Sequence, residues 1–98
     1  MKLIRQGDVI LEKVEKIEGK GRLMNNVVLA EGEVTGHKHI LQGQILECVT
    51  KDGRYVECKQ DAKLTHQEHD TLTIPKGKYK VKLQREVDLL GEVKHVMD

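Results

Sequence analysis

Four of the five histidines in this 98-residue chain fall in two short stretches, "TGHKH" (35–39) and "THQEHD" (65–70). Imidazole is the commonest protein ligand for transition metals and the side chain that exchanges protons near neutral pH. On a strand, residues i and i+2 face the same side, so His37 and His39 can offer two rings to one ion. His66 and His69 are three apart and would face opposite ways on a regular strand. Both reach one ion only if "HQEH" turns; His66 with Glu68 is the strand-compatible alternative. The expected metal set is therefore His37, His39, His66 and either His69 or Glu68, or both.

Neutral imidazole suits zinc, iron, nickel, copper and cobalt. Four protein ligands close a zinc site. The same four on iron, nickel or manganese leave two octahedral positions open for chemistry. The expected cofactor is thus one transition-metal ion (iron, nickel, manganese or zinc) held by His37, His39, His66 and His69. Glu68 beside it orients a ligand or acts as the catalytic base. The competing readings are a metal-free acid–base cluster and plain surface histidines, because HxH or HxxH alone is common on exposed strands. His95 stands by itself and is read as incidental.

The elements that must carry these residues are strands. The chain has no Phe and no Trp, so its core rests on Val, Ile and Leu, residues that pack well on pleated surfaces. "LIRQGDVILEKV" reads as two strands around Gly7-Asp8, and "EGKGR" as a turn. "NNVVLAEGEVTGHKHIL" alternates with a break at Gly32. "QILECVT" and "RYVECKQ" form a hairpin, and "DTLTIP" and "KYKVKLQREV" flank a Pro75-Lys76-Gly77 turn. Helical periodicity is absent except around "VDLL". Many short, regularly spaced strands predict an all-β domain over residues 1–98, a small barrel or sandwich.

"CVTKDGRYVEC" reads as a hairpin around an Asp52-Gly53 turn: a two-residue loop would put the cysteines on opposite faces, and a three-residue loop, Lys51 to Gly53, would pair Cys48 with Val56 and leave Cys58 diagonal to it. Diagonal neighbours lie about 7–8 Å apart, at or beyond the reach of a disulfide. Both cysteines are expected as buried free thiols rather than as a bridge or a Cys–His metal site.

"PKGKYKVKLQRE" places Lys76, Lys78, Lys80 and Lys82 on one strand face. This ridge is either a phosphate-tracking stripe or, the favoured reading, a solvated outer face or guarded edge. The formal net charge of +1 and the lack of aromatic stacking platforms speak against nucleic acid. Arg85 shares the inward parity of Leu83 and is expected to pair with a buried carboxylate in support of the site. No apolar run spans a bilayer, and the N-terminal stretch carries charges throughout, so the expected location is the cytoplasm.

The ordered set "GEVTGHKH", "LTHQEH", "LTIPKGKYKV" and "LQREV", with "RQGDV" before it, resembles a group of small uncharacterised bacterial and phage-type proteins. That resemblance implies that His37, His39, His66, Glu68 and His69 belong to one site. "HKH" followed by "DTLTIPKG" is also similar, more loosely, to the cupin superfamily. There an HxH pair precedes a Gly-Asp and Ile-Pro-x-Gly segment leading to a further histidine; here Lys78 and Tyr79 stand where that histidine would be. The first half looks faintly like the co-chaperonins, which implies a partly open barrel.

The functional expectation is a metal-binding β-barrel performing metal-assisted hydrolysis or lyase chemistry on a small molecule, with Glu68 moving the proton. Its rivals are a binding or structural module with the metal as a staple, and a metal-independent nuclease using histidine and lysine. Edge pairing into a homo-oligomer is compatible with a small β domain.

Overall fold

A computed structural model of the chain describes residues 2–32 and 36–84. Among these residues it contains eight strands and no α-helix: β1 (Leu3–Gln6), β2 (Val9–Val14), β3 (Arg22–Glu31), β4 (Lys38–Thr50), β5 (Gly53–Cys58), β6 (Ala62–Thr65), β7 (Leu72–Ile74) and β8 (Gly77–Leu83). They form one sheet in the order β1-β2-β8-β5-β4-β6-β7, with β3 on the other side of β4, and the sheet curls into a nearly closed barrel. Every pairing is antiparallel. No helix of the described residues is long and apolar enough to cross a membrane.

The long strand β4 makes the curl. Ile40–Gln42 pair with β6, whereas Ile45–Thr50 pair with β5. Gly43 lies at the fork with φ +147°, and a Cβ there would stand 3.2 Å from the Ala62 Cβ. Only a glycine lets β4 bend this sharply against β6. The interior is filled by Val9, Leu11, Leu41, Ile45, Val56, Leu64, Ile74 and Tyr79, each fully buried. The Tyr79 hydroxyl donates to the Pro75 carbonyl at 2.7 Å, which satisfies the one polar atom of the largest core side chain.

The β4–β5 hairpin takes the two-residue form, one residue earlier than the expected Asp52-Gly53 turn. Thr50 pairs with Gly53 around a two-residue Lys51-Asp52 loop, so Cys48 faces Tyr55, not Val56. The two cysteines therefore lie on opposite faces. Both are still buried free thiols: Cys58 in the barrel core, and Cys48 on the outer face beneath the β2–β3 connection, where Gly19 approaches its sulfur.

The lysine-bearing strand β8 is not an edge, because it pairs with β2 on one side and β5 on the other. Lys80 and Lys82 do point outward. Lys82 is 3.1 Å from Glu12, and the Lys80 ammonium stands 5.8 Å from the Tyr55 ring centre. Neighbouring strands neutralise this part of the ridge. Arg85, the "VDLL" stretch and His95 lie outside the described residues.

The exposed flank of β3 is covered in part by Arg54, which donates to the Val28 and Leu29 carbonyls and pairs with Glu47. A bulge between Val28 and Ala30 interrupts the β3–β4 ladder. It inserts one residue, so that Ala30 rather than Leu29 faces His39.

Candidate metal centre

The histidines gather at one end of the barrel because three separate connections end there. His39 is the second residue of β4 and shares the inward parity of Leu41. Extending the β4–β6 register past the Ile40–Thr65 pair brings His66 opposite His39, and their ring centres are 4.2 Å apart. After His66 the chain bends, as a shared site requires, and returns His69 to 4.6 Å from His66 and 5.7 Å from His39. One nitrogen from each of His39, His66 and His69 lies within 4.8 Å of the others. His39 and His66 are buried and His69 is exposed.

His37 is not in this trio. Strand β4 begins at Lys38, so the i, i+2 parity does not extend to it. Its buried Nδ1 instead stands 3.7 Å from a carboxylate oxygen of the exposed Glu68, and its ring centre lies 5.6 Å from that of His66. Glu68 is 55% exposed and reaches the site in a second way, through its backbone N–H, which donates to His66 Nδ1 at 3.0 Å. With Nδ1 accepting, the neutral His66 ring carries its proton on Nε2. Donating Nε2 to an ion means moving that proton to Nδ1 and releasing the Glu68 N–H.

Three residues of the β1–β2 hairpin complete the site, and none stood out from residue type alone. Gln6, 3% exposed, points inward at the end of β1. Its amide nitrogen donates to the Leu64 and Asp70 carbonyls, both at 2.9 Å. Those bonds fix the amide orientation, so its oxygen is an acceptor, 2.9 Å from His39 Nδ1. His39 must then carry its proton on Nδ1, and the Nε2 lone pair is turned outward. Asp8 meets that lone pair, with Oδ1 3.2 Å from His39 Nε2 and a side chain only 10% exposed.

Gly7 makes the approach possible. Gln6 pairs with Val9, so Gly7-Asp8 is a two-residue loop. A positive φ of +60° at its first residue only is the type II′ pattern. A Cβ on Gly7 would lie 2.8 Å from His69 Nε2 and 3.0 Å from His39 Cε1.

The electrostatics match this geometry. Burial pushes the His39 pKa down, the neighbouring His66 and His69 push the same way, and the Asp8 carboxylate opposes them. The site favours a neutral imidazole with a lone pair to give, beside a carboxylate. Zinc-type bonds to nitrogen and oxygen are about 2.0–2.2 Å, which puts ligand atoms about 3.3 Å apart around a tetrahedral ion. The His39–Asp8 pair already has that spacing.

Residues 5–84 match the model of a family described as "Domain of unknown function (DUF8820)". The chain belongs to that family. The matched span of the DUF8820 domain includes Gln6, Gly7, Asp8, all four clustered histidines and Glu68. No cupin family matches, so the cupin likeness has no support beyond the motif order. No curated protein and no solved structure matches the chain.

Proposed function

We propose that this domain is a mononuclear transition-metal protein whose ion is held by His39, His66, His69 and Asp8. The observation that carries the reading is the meeting of two electron pairs. Gln6 fixes the His39 proton on Nδ1, so a bare Nε2 lone pair faces the Asp8 carboxylate at 3.2 Å. Two such groups repel unless a cation lies between them. Two further imidazoles at the same point favour a metal over a proton.

One side of the cluster is open, since His69 and Glu68 are exposed. A bound divalent ion supplies Lewis acidity there, polarising a substrate oxygen or acidifying water. Glu68 and His37, in contact at the rim, are placed to take up and return a proton. The reaction class that fits is metal-assisted hydrolysis or lyase chemistry on a small molecule. A proton in place of the ion, giving an imidazolium–aspartate pair, is the second reading that the His39–Asp8 contact admits.

The test is elemental analysis of protein purified without chelator, followed by cobalt(II) titration read by its visible absorption. Stoichiometric metal is expected in the parent. His69→Ala and Asp8→Asn should lose it while keeping the fold, and His37→Ala should keep it. No metal in the parent, after reconstitution with iron, nickel, manganese and zinc in turn, would sink the proposal and leave the proton reading.

A further inference from the structure

The strands β1, β2 and β8 run from the histidine end of the barrel to an opposite mouth, which holds a cavity of about 700 Å³. Its walls carry Lys2, Lys13, Lys76 and Lys78, and Cys58 and Gly77 lie between them. Two of these lysines occupy positions where the pattern calls for an apolar residue. Lys13 follows Val9 and Leu11 on the inward parity of β2 and pairs with the buried Tyr79. Lys2 continues the β1–β2 ladder opposite it, since the Lys13 N–H donates to the Lys2 carbonyl at 3.0 Å. The Lys13 Cε and Nζ lie 3.6 and 3.7 Å from the point where a Gly77 Cβ would stand, next to the Tyr79 hydroxyl. An ammonium group therefore leans across the barrel mouth over bare backbone.

The local charge is unbalanced. Among the described residues, none of the four ammonium groups forms an ion pair. Two glutamates also line the wall, fewer than the four lysines: Glu57, which has Lys59 at 3.5 Å and lies opposite Lys78 in the β5–β8 ladder, and Glu15. Asp61, nearby, accepts the Lys76 backbone N–H. The Cys58 thiol adds no negative charge, because burial and then the Asp61 and Glu57 carboxylates push its pKa up to about 11. Four cations around one cavity repel one another, and Lys2 and Lys13, exposed at the barrel end, put no apolar side chain on two inward-parity positions. A fold accepts both costs where a ligand repays them.

We propose that this mouth binds a small phosphorylated molecule, its phosphate held by Lys2 and Lys13 above the half-buried backbone of Gly77, with Lys76 and Lys78 adding positive charge at the wall. Lysine ammonium groups bind phosphate as point charges, and the absent side chain at Gly77 lets an anion approach the backbone. The volume falls in the small-molecule range of about 300–1,000 Å³. The lysines line one mouth rather than track along a groove, and no aromatic platform accompanies them, so a single strand of nucleic acid is the poorer match.

The test is amide NMR of the uniformly ¹⁵N-labelled full chain, titrated with pyrophosphate and with a nucleoside monophosphate in about 0.15 M salt, where exposed charges are well screened. Saturable shifts are expected at Val14, Cys58, Gly77 and Lys78, with none at Gly7, His39 or Glu68. A Lys2→Gln, Lys13→Gln double variant should bind about tenfold or more weakly, and a Lys51→Gln, Lys63→Gln control should bind as the parent does. Both variants alter exposed side chains, and an unchanged spectrum without ligand reports an intact fold. Shifts that fail to saturate, that spread over every lysine-bearing strand, or that survive the double variant overturn the proposal. So does a single-stranded oligonucleotide that binds through the same residues more tightly than pyrophosphate.

Discussion

Replacing Gly7 by alanine probes the metal centre through the backbone and changes no ligand. Gly7 has φ +60°, where an L-residue pays about 1–2 kcal/mol. The new methyl would also press on His69 Nε2 at 2.8 Å and His39 Cε1 at 3.0 Å. His69 is exposed and can swing away. His39 is buried and held by Gln6, so relief on that side must come from the hairpin or the ring, at about 1–3 kcal/mol as for other overpacked sites. Gly36 is the matched control: its φ is +75°, and nothing lies within 4 Å of where its Cβ would be. Gly36→Ala should show the backbone cost alone, and both variants gain equally from a stiffer unfolded chain. Urea unfolding in chelator should therefore separate Gly7→Ala from Gly36→Ala by about 1–3 kcal/mol. Cobalt(II) affinity should drop about 10–100-fold in Gly7→Ala, as when a supporting group of a metal site is lost, and stay at the parent value in Gly36→Ala. Equal stabilities and equal affinities would refute the idea that Gly7 exists to admit the two rings.

Further predictions follow from the residues around that turn. Gln6→Leu should destabilise the metal-free protein by about 2–4 kcal/mol in urea unfolding, because it strands the buried Leu64 carbonyl and His39 Nδ1 and removes the partner of the half-buried Asp70 carbonyl. In the metal-free protein, the unfolded chain protonates His39 near pH 6.5 and the folded chain only at lower pH. The unfolded state then binds more protons in that window, so stability is held above about pH 6.5 and declines as pH falls below it; urea midpoints from pH 7.5 to 5 should show this slope, and His39→Gln should flatten it. Metal binding should move the Glu68 amide resonance strongly, since ligation by His66 Nε2 releases the Glu68 N–H. Both thiols should resist iodoacetamide at pH 8 in the native protein and react on unfolding, because both are buried and the Cys58 thiol is held protonated.

Much of the fold was legible in the sequence because alternation reports directly on which face a strand buries. Val9 and Leu11, or Ile45 on β4, are inward by simple parity. The β4–β5 register was not legible, because the Gly53 of "KDGR" fits either loop length and only the packing of Val56 inward decides it. The lysine strand was misplaced as a candidate edge for a different reason: alternating lysines mark an outward face but do not say how many neighbours the backbone has. At the site, the histidines were visible by type, and the turn in "HQEH" was a condition the structure meets. Separating His37 from the trio required knowing that β4 begins at Lys38. Gln6 and Asp8 were hidden because glutamine and a Gly-Asp loop are ordinary at a hairpin. The available signal was Gln6 on the inward parity of Ile4, a polar side chain where β1 should be apolar.

That misplaced polarity ties the site to the fold. β1 and β7 are the two ends of the sheet path, and no backbone ladder joins them. Gln6 crosses the gap, bonding the Leu64 carbonyl of β6 and the Asp70 carbonyl before β7 while it orients His39 on β4. Closure of the barrel and orientation of the ligand are therefore one event. An ion at His39, His66, His69 and Asp8 would join the same three segments again, from the β1–β2 turn to β4 and the 66–69 bend. Because it binds only the closed arrangement, it should stabilise the folded state in proportion to its affinity and free concentration. In Gln6→Leu that gain should shrink, because the ion must then orient His39 as well as bind it. If saturating metal instead raised the unfolding midpoint of Gln6→Leu as much as that of the parent, the centre would form independently of barrel closure, and Gln6 would be a structural staple alone.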